Sequence, residues 1–205
     1  MSILDRDALH LWPREHPRRS MALKNLAVRL PTRYKQLGVR KHLKEAIVLG
    51  REALDLRPQG HPDRSMSLNN LASCLSTRSN QLWVMEDLDE AIVLVRDALD
   101  LFPQGHPDRS MPLNSLAVHI SFRYKQLGAM EDLDEAIVLG REALDLHPQG
   151  HPDQSMFLKD LGSYPYFRYK QLGAMEDFDE VIVVFLEALN LRPQGHPDRS
   201  RRPSQ

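Results

Sequence analysis

Histidine recurs at one fixed interval in this chain, and histidine is the side chain best suited to bind a metal or move a proton near neutral pH. The motif PQGHPDRSM occurs at residues 58–66 and again at 103–111, with near-copies from residues 13, 148 and 193. Zinc ligands lie about 2.1 Å from the ion, whereas packed helices lie about 8–10 Å apart. Equivalent histidines of adjacent helical repeats therefore cannot share an ion, and we expect local hydrogen bonds in a turn. The histidines, each 45 residues after the last, are His16, His61, His106, His151 and His196.

Other residues capable of chemistry do not form a recognisable active site. The one cysteine, Cys74, has His119 at the equivalent position one repeat later, and the same distance argument separates the two side chains. The segment EDLDE lacks the glycine and the ligand spacing of an EF-hand calcium loop. There is no phosphate-binding glycine loop and no Ser/His/Asp arrangement. We therefore expect a protein that is not an enzyme and has no metal and no cofactor.

An arginine also recurs every 45 residues, and in three of its four copies a tyrosine follows it. One interpretation is an ion pair between repeats, with the acidic start of a unit's second helix, EDLDE, as the partner. The alternative is a bidentate contact to an acidic binding partner. These arginines are Arg33, Arg78, Arg123 and Arg168.

The apolar residues between these positions have helical periodicity. Leu68, Leu71, Ala72 and Leu75 follow the spacing i, i+3, i+4, i+7, and the segment from Leu88 to Leu99 repeats the pattern. No segment has the period of two that a strand requires. The sequence therefore predicts an all-α fold.

Proline, glycine and acidic residues mark where these helices begin and end. Pro62 suits the start of a first helix A, and Gly128 suits a left-handed cap at its end. Asp87 and Glu90 have the spacing of a capping box at the start of a second helix B. Each unit is thus a helical hairpin, and PQG ends helix B. Because one hairpin cannot bury its apolar face alone, the hairpins must stack.

The hairpins resemble the tetratricopeptide repeat (TPR). The residues that carry the resemblance are LxxLAxxL in helix A, the small Ala91 of helix B, and the ending ALDLFP at 98–103. The 45-residue unit is longer than the usual ~34 residues and is similar to the kinesin-light-chain type and to large fungal tandem arrays. The period of HEAT and armadillo repeats, ~40–47 residues, also fits. The resemblance implies a right-handed α-solenoid of stacked helical hairpins.

The periodicity predicts how the chain is divided. The first residues align with the end of a helix B, and the last residues align with the start of a helix A. We therefore expect a segment of a longer array or a truncated gene product, with uncapped ends that could associate end to end. The expected divisions are 1–15 (partial repeat), 16–60, 61–105, 106–150 and 151–195 (repeats 1 to 4) and 196–205 (truncated repeat).

Repeat 4 departs most from the pattern. Gly162 replaces an alanine of helix A, Pro165 replaces a core leucine, and Val181 replaces the small residue of helix B. Proline inside a helix costs about 3 kcal/mol, so we expect this repeat to be kinked or frayed. Pro31 poses a milder form of the same problem in repeat 1.

The resemblance also implies where a ligand would bind, because helices A line the concave groove of a TPR stack. Asparagine and lysine there could bind a peptide backbone or a carboxylate, and solvated polar positions are the alternative. The groove candidates are Lys24, Asn69, Asn114 and Lys159, one turn onward Val28, Ser73, Val118 and Ser163, and then Ser76, Ser121 and Tyr166.

Charge and composition limit the partners. Residues 16–60 carry eleven Lys/Arg and three Asp/Glu, whereas each later repeat is acidic. The basic repeat lacks interleaved aromatics and any nucleic-acid motif, so we expect no nucleic acid. The longest apolar run, residues 181–186, is too short for a bilayer, so we expect no membrane span. A single cysteine fits a reducing compartment, by default the cytoplasm.

We therefore expect a non-catalytic scaffold that binds a protein or peptide in its groove. An alternative is a regulatory or sensor segment of a larger signalling protein, because similar fungal arrays adjoin caspase-like or nucleotide-binding domains. A gene fragment without function is the third possibility.

Overall fold

The computed structural model describes residues 17–146 and 154–191. Within these ranges the chain forms eight α-helices and one 3-10 turn and no strand, which confirms the all-α prediction. The expected partial repeats at 1–15 and 196–205 lie outside the described residues. The helices are α1 (Pro17–Leu37), α2 (Lys41–Asp55), α3 (Arg64–Leu82), α4 (Met85–Leu99), α5 (Ser110–Leu127), α6 (Met130–Leu146), α7 (Gln154–Leu172) and α8 (Met175–Asn190), with the 3-10 turn at Pro107–Arg109.

Successive helices pair as antiparallel hairpins, with the odd-numbered helices as helix A and the even-numbered ones as helix B. The chain divides into two compact units, residues 1–101 and 102–205, a division that the sequence did not predict. In the first unit α3 packs against both α2 and α1, and in the second unit α7 packs against both α6 and α5. None of the described helices is long and apolar enough to cross a membrane.

Within each unit, glycine lets helix B approach the next helix A closely. A Cβ atom added at Gly50 of α2 would lie 3.1 Å from Leu71 Cδ1 of α3. A Cβ atom added at Gly140 of α6 would lie 3.0 Å from Leu161 Cδ1 of α7. Any larger residue at either glycine would have to displace the leucine.

The repeated histidine and arginine of the PQGHPDRS motif form side-chain to backbone hydrogen bonds in the turn between hairpins. His61 Nδ1 accepts a hydrogen bond from the N–H of Asp63 at 3.1 Å, as His106 does from Asp108 at 3.2 Å. Arg64 Nη1 donates to the carbonyl of residue 57 at 2.5 Å, and Arg109 donates to that of residue 102 at 3.0 Å. The local hydrogen bond expected of the histidine is thus present in both described copies. His16, His151 and His196 lie outside the described residues.

The expected capping box at the start of helix B is wrong. Helix α4 begins at Met85, and its N-cap residue is Val84, which has an extended backbone and forms no capping hydrogen bond through its side chain. Asp87 lies inside the first turn, where its charge complements the positive end of the helix dipole. Its carboxylate is engaged elsewhere, as described below.

Helix A ends on a left-handed residue, and in one hairpin that residue is a tryptophan. Gly128 caps α5 with φ 72° and Gly173 follows α7 with φ 70°, whereas Trp83 caps α3 with φ 57°. The Trp83 side chain is 72% exposed, so it gains little packing in return for the strained backbone.

We expect Trp83→Gly to stabilise the first unit by about 1 kcal/mol, because a left-handed conformation costs a residue with a Cβ about 1–2 kcal/mol. Urea unfolding measures the change. Gly128→Ala, which introduces a Cβ at the equivalent cap, should destabilise by a similar amount. A lower midpoint for Trp83→Gly would show that the indole makes a stabilising contact.

The described part of repeat 4, residues 154–191, does not show the fraying expected at Pro165. Helix α7 continues through Pro165 to Leu172, and α1 likewise continues through Pro31. Pro165 cannot donate to the carbonyl of Leu161, but both residues are buried, so packing holds the helix together. Gly162 contributes to this packing, since a Cβ there would lie 3.3 Å from the ring of Phe185.

Candidate functional site

The recurring arginines bind buried aspartates at the start of helix B. Arg78 forms a bidentate pair with Asp87, Arg123 Nη2 lies 2.7 Å from Asp132 Oδ1, and Arg168 Nη2 lies 2.6 Å from Asp177 Oδ1. The three aspartate side chains are 5–7% exposed. The hydrogen bonds that Arg78 donates to Asp87 are the main reason that the pKa of Arg78 is raised above its ordinary value. These guanidinium groups hold the two helices of a hairpin together.

The expected location of this ion pair was wrong in one respect. The main partner lies in the arginine's own hairpin, and Arg168 also reaches the preceding hairpin, with Nη1 2.5 Å from Asp134 Oδ1 of α6. Pairs between neighbouring helices B come instead from Arg51 with Glu90 and from Arg141 with Glu180. The side chain of Arg33 is outside the described part of the structure, and the sequence has His42 at the position of Asp87. A role for the four arginines in partner binding stays a prediction.

We expect Asp87→Asn to destabilise the first unit by about 2 kcal/mol, because it leaves Arg78 without its counter-charge and weakens a buried hydrogen bond. The change is measured by urea unfolding. Asp89→Asn is the matched control, since Asp89 lies two positions along the same helix but is exposed, and it should change stability by less than about 0.5 kcal/mol. Equal effects of the two variants would contradict the structural role of the pair.

The groove candidates of the first unit, on α1 and α3, differ in exposure. Val28 and Ser73 are exposed, and Lys24 and Asn69 are half-buried. The Ser73 hydroxyl donates to the backbone carbonyl of Asn69 at 3.0 Å. Ser76 is only 2% exposed, so it cannot reach a ligand on this surface.

The groove candidates of the second unit, on α5 and α7, include two buried residues. Asn114 is 5% exposed, and its Nδ2 donates to Asp160 Oδ2 at 3.1 Å. Ser121 is also buried and donates to the carbonyl of Val118. Burial raises the pKa of Asp160, against the effect of the Asn114 hydrogen bond. Four candidates are not buried: Val118, Lys159, Ser163 and Tyr166.

The same face of α5 and α7 also carries a set of aromatic and lysine residues, here called the aromatic–lysine cluster. Lys125 Nζ lies 5.1 Å from the ring centroid of Phe122 and 4.7 Å from that of Phe167, while Lys170 Nζ lies 5.8 Å from that of Tyr166. The Tyr166 and Phe167 ring centroids are 6.0 Å apart. Partial burial lowers the pKa of Lys125. Neither lysine forms an ion pair with a carboxylate within the described ranges.

Four members of this cluster were missed by the sequence reasoning, although a signal was present. Phe122 and Lys125 follow Val118 at i+4 and i+7, and Phe167 and Lys170 follow Ser163 in the same way. Extending the helical period by one more turn from the predicted groove positions would have placed all four on the groove face. Repeats 1 and 2 have Thr32 and Thr77 where Phe122 stands, and repeat 2 has Asn80 where Lys125 stands.

Cys74 and His119, the cysteine and histidine at equivalent positions of neighbouring repeats, are both buried in unreactive states. Burial raises the pKa of Cys74 to about 12, so the thiol is protonated at neutral pH. Burial lowers the pKa of His119 to about 4, and neither ring nitrogen has a hydrogen-bond partner among the described residues. Within the same ranges no three His, Cys, Asp or Glu side chains lie close enough to hold a metal ion.

The fold is similar to those of two solved repeat proteins. BtubC (BKLC) from P. vanneervenii is 22% identical, with a TM-score of 0.61 over 98% of this chain and 77% of that one. A protein from Podosopora anserina, described as a kinesin light chain with nearly identical TPR-like repeats, is 18% identical, with a TM-score of 0.58 over 90% of this chain and 85% of that one. The chain has the TPR-like repeat fold.

The TPR-like assignment confirms the resemblance drawn from the sequence and favours it over HEAT or armadillo repeats. No model of a known protein family matches the chain, and no curated protein matches it. At identities below 25% the two structures show the fold alone. TPR-like repeats commonly mediate protein–protein interaction and are typically non-catalytic.

Proposed function

We propose that the chain is a non-catalytic interaction module that holds an acidic peptide segment of a protein partner against the helix A face of its second unit. The observation that carries this proposal is the aromatic–lysine cluster on α5 and α7. Its aromatic rings offer apolar contact area of the kind that dominates binding energy at protein interfaces. Its lysines lie on those rings without a carboxylate partner in the described structure, so they are available to a ligand carboxylate.

The rest of the face extends this surface along α7. Lys159 lies two turns before Phe167, with Ser163 between them, and both Lys159 and Lys170 are exposed. An extended or helical segment with carboxylates on either side of an apolar residue would match this order of charges. The buried states of Cys74 and His119 favour binding over catalysis.

Selection from a displayed library of random peptides tests the proposal. The variant Phe122→Thr/Lys125→Asn/Phe167→Thr introduces residues that the chain itself carries at Thr77 and Asn80, so the fold should tolerate it. Val93→Thr/Val138→Thr is the control, because both valines are exposed on helices B. We expect the wild type and the control to enrich acidic peptides, and the variant to bind those peptides at least about tenfold more weakly. Peptides without acidic residues, or equal binding by the variant, would contradict the proposal.

End-to-end association of copies also stays a prediction, and one feature of α8 favours it. Ile182 is 44% exposed and Phe185 41%, whereas the equivalents of Ile182 in α2 and α6, Ile47 and Ile137, are buried. We expect sedimentation velocity to show a species larger than a monomer that Ile182→Ser removes. A monomer at all concentrations would contradict this expectation.

A further inference from the structure

The fourth hairpin contains an open cavity at a position that an arginine side chain occupies in the first hairpin. The cavity has a volume of about 250 Å³. Its lining lies where the N-terminal turn of α7 meets the C-terminal turn of α8, and every lining residue has a counterpart in the first hairpin 135 positions earlier. The lining residues are Gln154, Leu158, Glu187, Asn190 and Leu191, and their counterparts are Arg19, Leu23, Glu52, Asp55 and Leu56.

In the first hairpin this position holds a charge-assisted hydrogen bond. Arg19 Nε lies 3.0 Å and Nη2 lies 2.6 Å from Glu52 Oε1. The Arg19 side chain is only 16% exposed, and Leu23, one turn along α1, is fully buried. The first hairpin therefore has an acidic acceptor and an apolar residue that together accommodate one guanidinium group.

The fourth hairpin keeps the acceptor and the apolar residue but lacks the arginine. Repeats 2 and 3 have Arg64 and Arg109 at this position, and only repeat 4 has the shorter, neutral Gln154. Leu158 remains buried, as Leu23 is. The carboxylate of Glu187 has no ion-pair partner in the part of the chain that the structure describes.

We propose that this cavity binds the guanidinium group of an arginine side chain supplied by a protein partner, in the position that Arg19 takes in the first hairpin. A planar guanidinium group can donate two parallel hydrogen bonds to a carboxylate and is weakly hydrated, so it matches a carboxylate beside an apolar wall better than an ammonium group does. The volume is below the ~300–1,000 Å³ of sites for whole small molecules, as expected for a site that takes one side chain. This inference does not depend on the helix A face or its ligand.

Amide chemical shifts of the full chain, titrated with short peptides, test the proposal. The probes are acetylated and amidated Ala-Arg-Ala and its counterparts with citrulline or lysine in place of arginine. We expect the arginine peptide to shift the signals of residues 154–158 and 187–191, and to bind about tenfold more tightly than the uncharged citrulline peptide. Equal affinity for the arginine and citrulline peptides, or shifts only elsewhere in the chain, would overturn the proposal.

Matched variants separate this cavity from general attraction to an acidic helix. Gln154→Arg restores the residue of the other three repeats and should abolish binding by filling the cavity from within. Glu187→Gln should weaken binding about tenfold. Glu176→Gln, an exposed acid on the same helix, should have no effect. Unchanged binding by Gln154→Arg would overturn the proposal even if the peptide binds.

The chain's own C-terminal segment is a competing source of the same group, because residues 192–205 include four arginines. The variant Arg192→Ala/Arg199→Ala/Arg201→Ala/Arg202→Ala separates the two sources. If the site serves a partner, the variant should leave the cavity signals unchanged in the absence of peptide. A shift of those signals would show that the chain's own segment occupies the cavity, and a partner would then not be its ligand.

Discussion

Lowering the pH from 6.5 to 4 should remove about 3 kcal/mol of unfolding free energy through one side chain, His119. Burial lowers its pKa from 6.5 in the unfolded chain to about 4 in the fold, so between these values the unfolded state binds more protons. The stabilisation is therefore fully present above pH 6.5 and is lost as the pH falls through about 4. Each pKa unit corresponds to about 1.4 kcal/mol.

Urea unfolding of the wild type and of His119→Cys at a series of pH values measures this effect. Cysteine occupies the equivalent position at Cys74 and does not titrate in this range, so the variant reports the contribution of the carboxylates and of the other eight histidines. We expect the two stability curves to run parallel above pH 6.5 and to diverge below it, with the variant losing less. Curves that stay parallel down to pH 4 would show that His119 is solvated in the fold.

Pro165→Leu should stabilise the fourth hairpin by about 3 kcal/mol. The substitution restores the N–H that can donate to the carbonyl of Leu161, and it removes the clash of a proline ring with the preceding turn. The equivalent positions Leu30, Leu75 and Ile120 hold fully buried branched side chains, so the site suits leucine. Hydrogen exchange should show α7 and α8 opening before α3 and α4 in the wild type, and this difference should shrink in the variant.

Two further variants make this prediction specific. Pro112→Ser, in the first turn of α5 where no helical hydrogen bond is lost, should change protection little. Adding Val181→Ala to Pro165→Leu should raise protection further, because alanine occupies that position in the other three repeats. If α7 and α8 are already as protected as α3 and α4 in the wild type, the cost assigned to Pro165 is wrong.

The helices could be predicted from the sequence because the same helical spacing of apolar residues occurs in every repeat. Leu68, Leu71 and Leu75 define a helical face on their own, and the copies at 113–120 and 158–165 remove the ambiguity of a short apolar run. The result at Pro165 could not be predicted from local propensity, which favours a break there. Burial of the surrounding turn outweighs that local preference.

Because the repeats are so similar, the sequence does not show which of several equivalent residues makes a given contact. An aspartate follows each of Arg78, Arg123 and Arg168 at nine positions, and other acids lie at similar positions in the neighbouring repeats. Spacing alone therefore identified the start of helix B as the partner but not the hairpin that supplies it. The geometry of one hairpin was needed to decide.

The sequence predicted which helix face carries the candidate site, but not which residues of that face are buried. The register placed Ser73, Ser163 and Tyr166 on an accessible face, yet it also selected Ser76, Asn114 and Ser121, which are buried. The exposure of a residue on helix A depends on the size and position of the side chains on the next helix A. The helical period of one helix carries no information about those side chains. The cavity beside Glu187 is of the same kind, because the sequence shows that Gln154 replaces an arginine but not that the space beside it stays open.

Photo-cross-linking tests most directly whether the helix A face of the second unit holds a peptide. A p-benzoylphenylalanine would replace Tyr166 in the aromatic–lysine cluster in one protein and the exposed Val138 on helix α6 in another. Each protein would be irradiated with the acidic peptide selected from the library. The account predicts a cross-link from position 166 that excess unlabelled peptide removes, and none from position 138. A cross-link from position 138 without one from position 166 would contradict it.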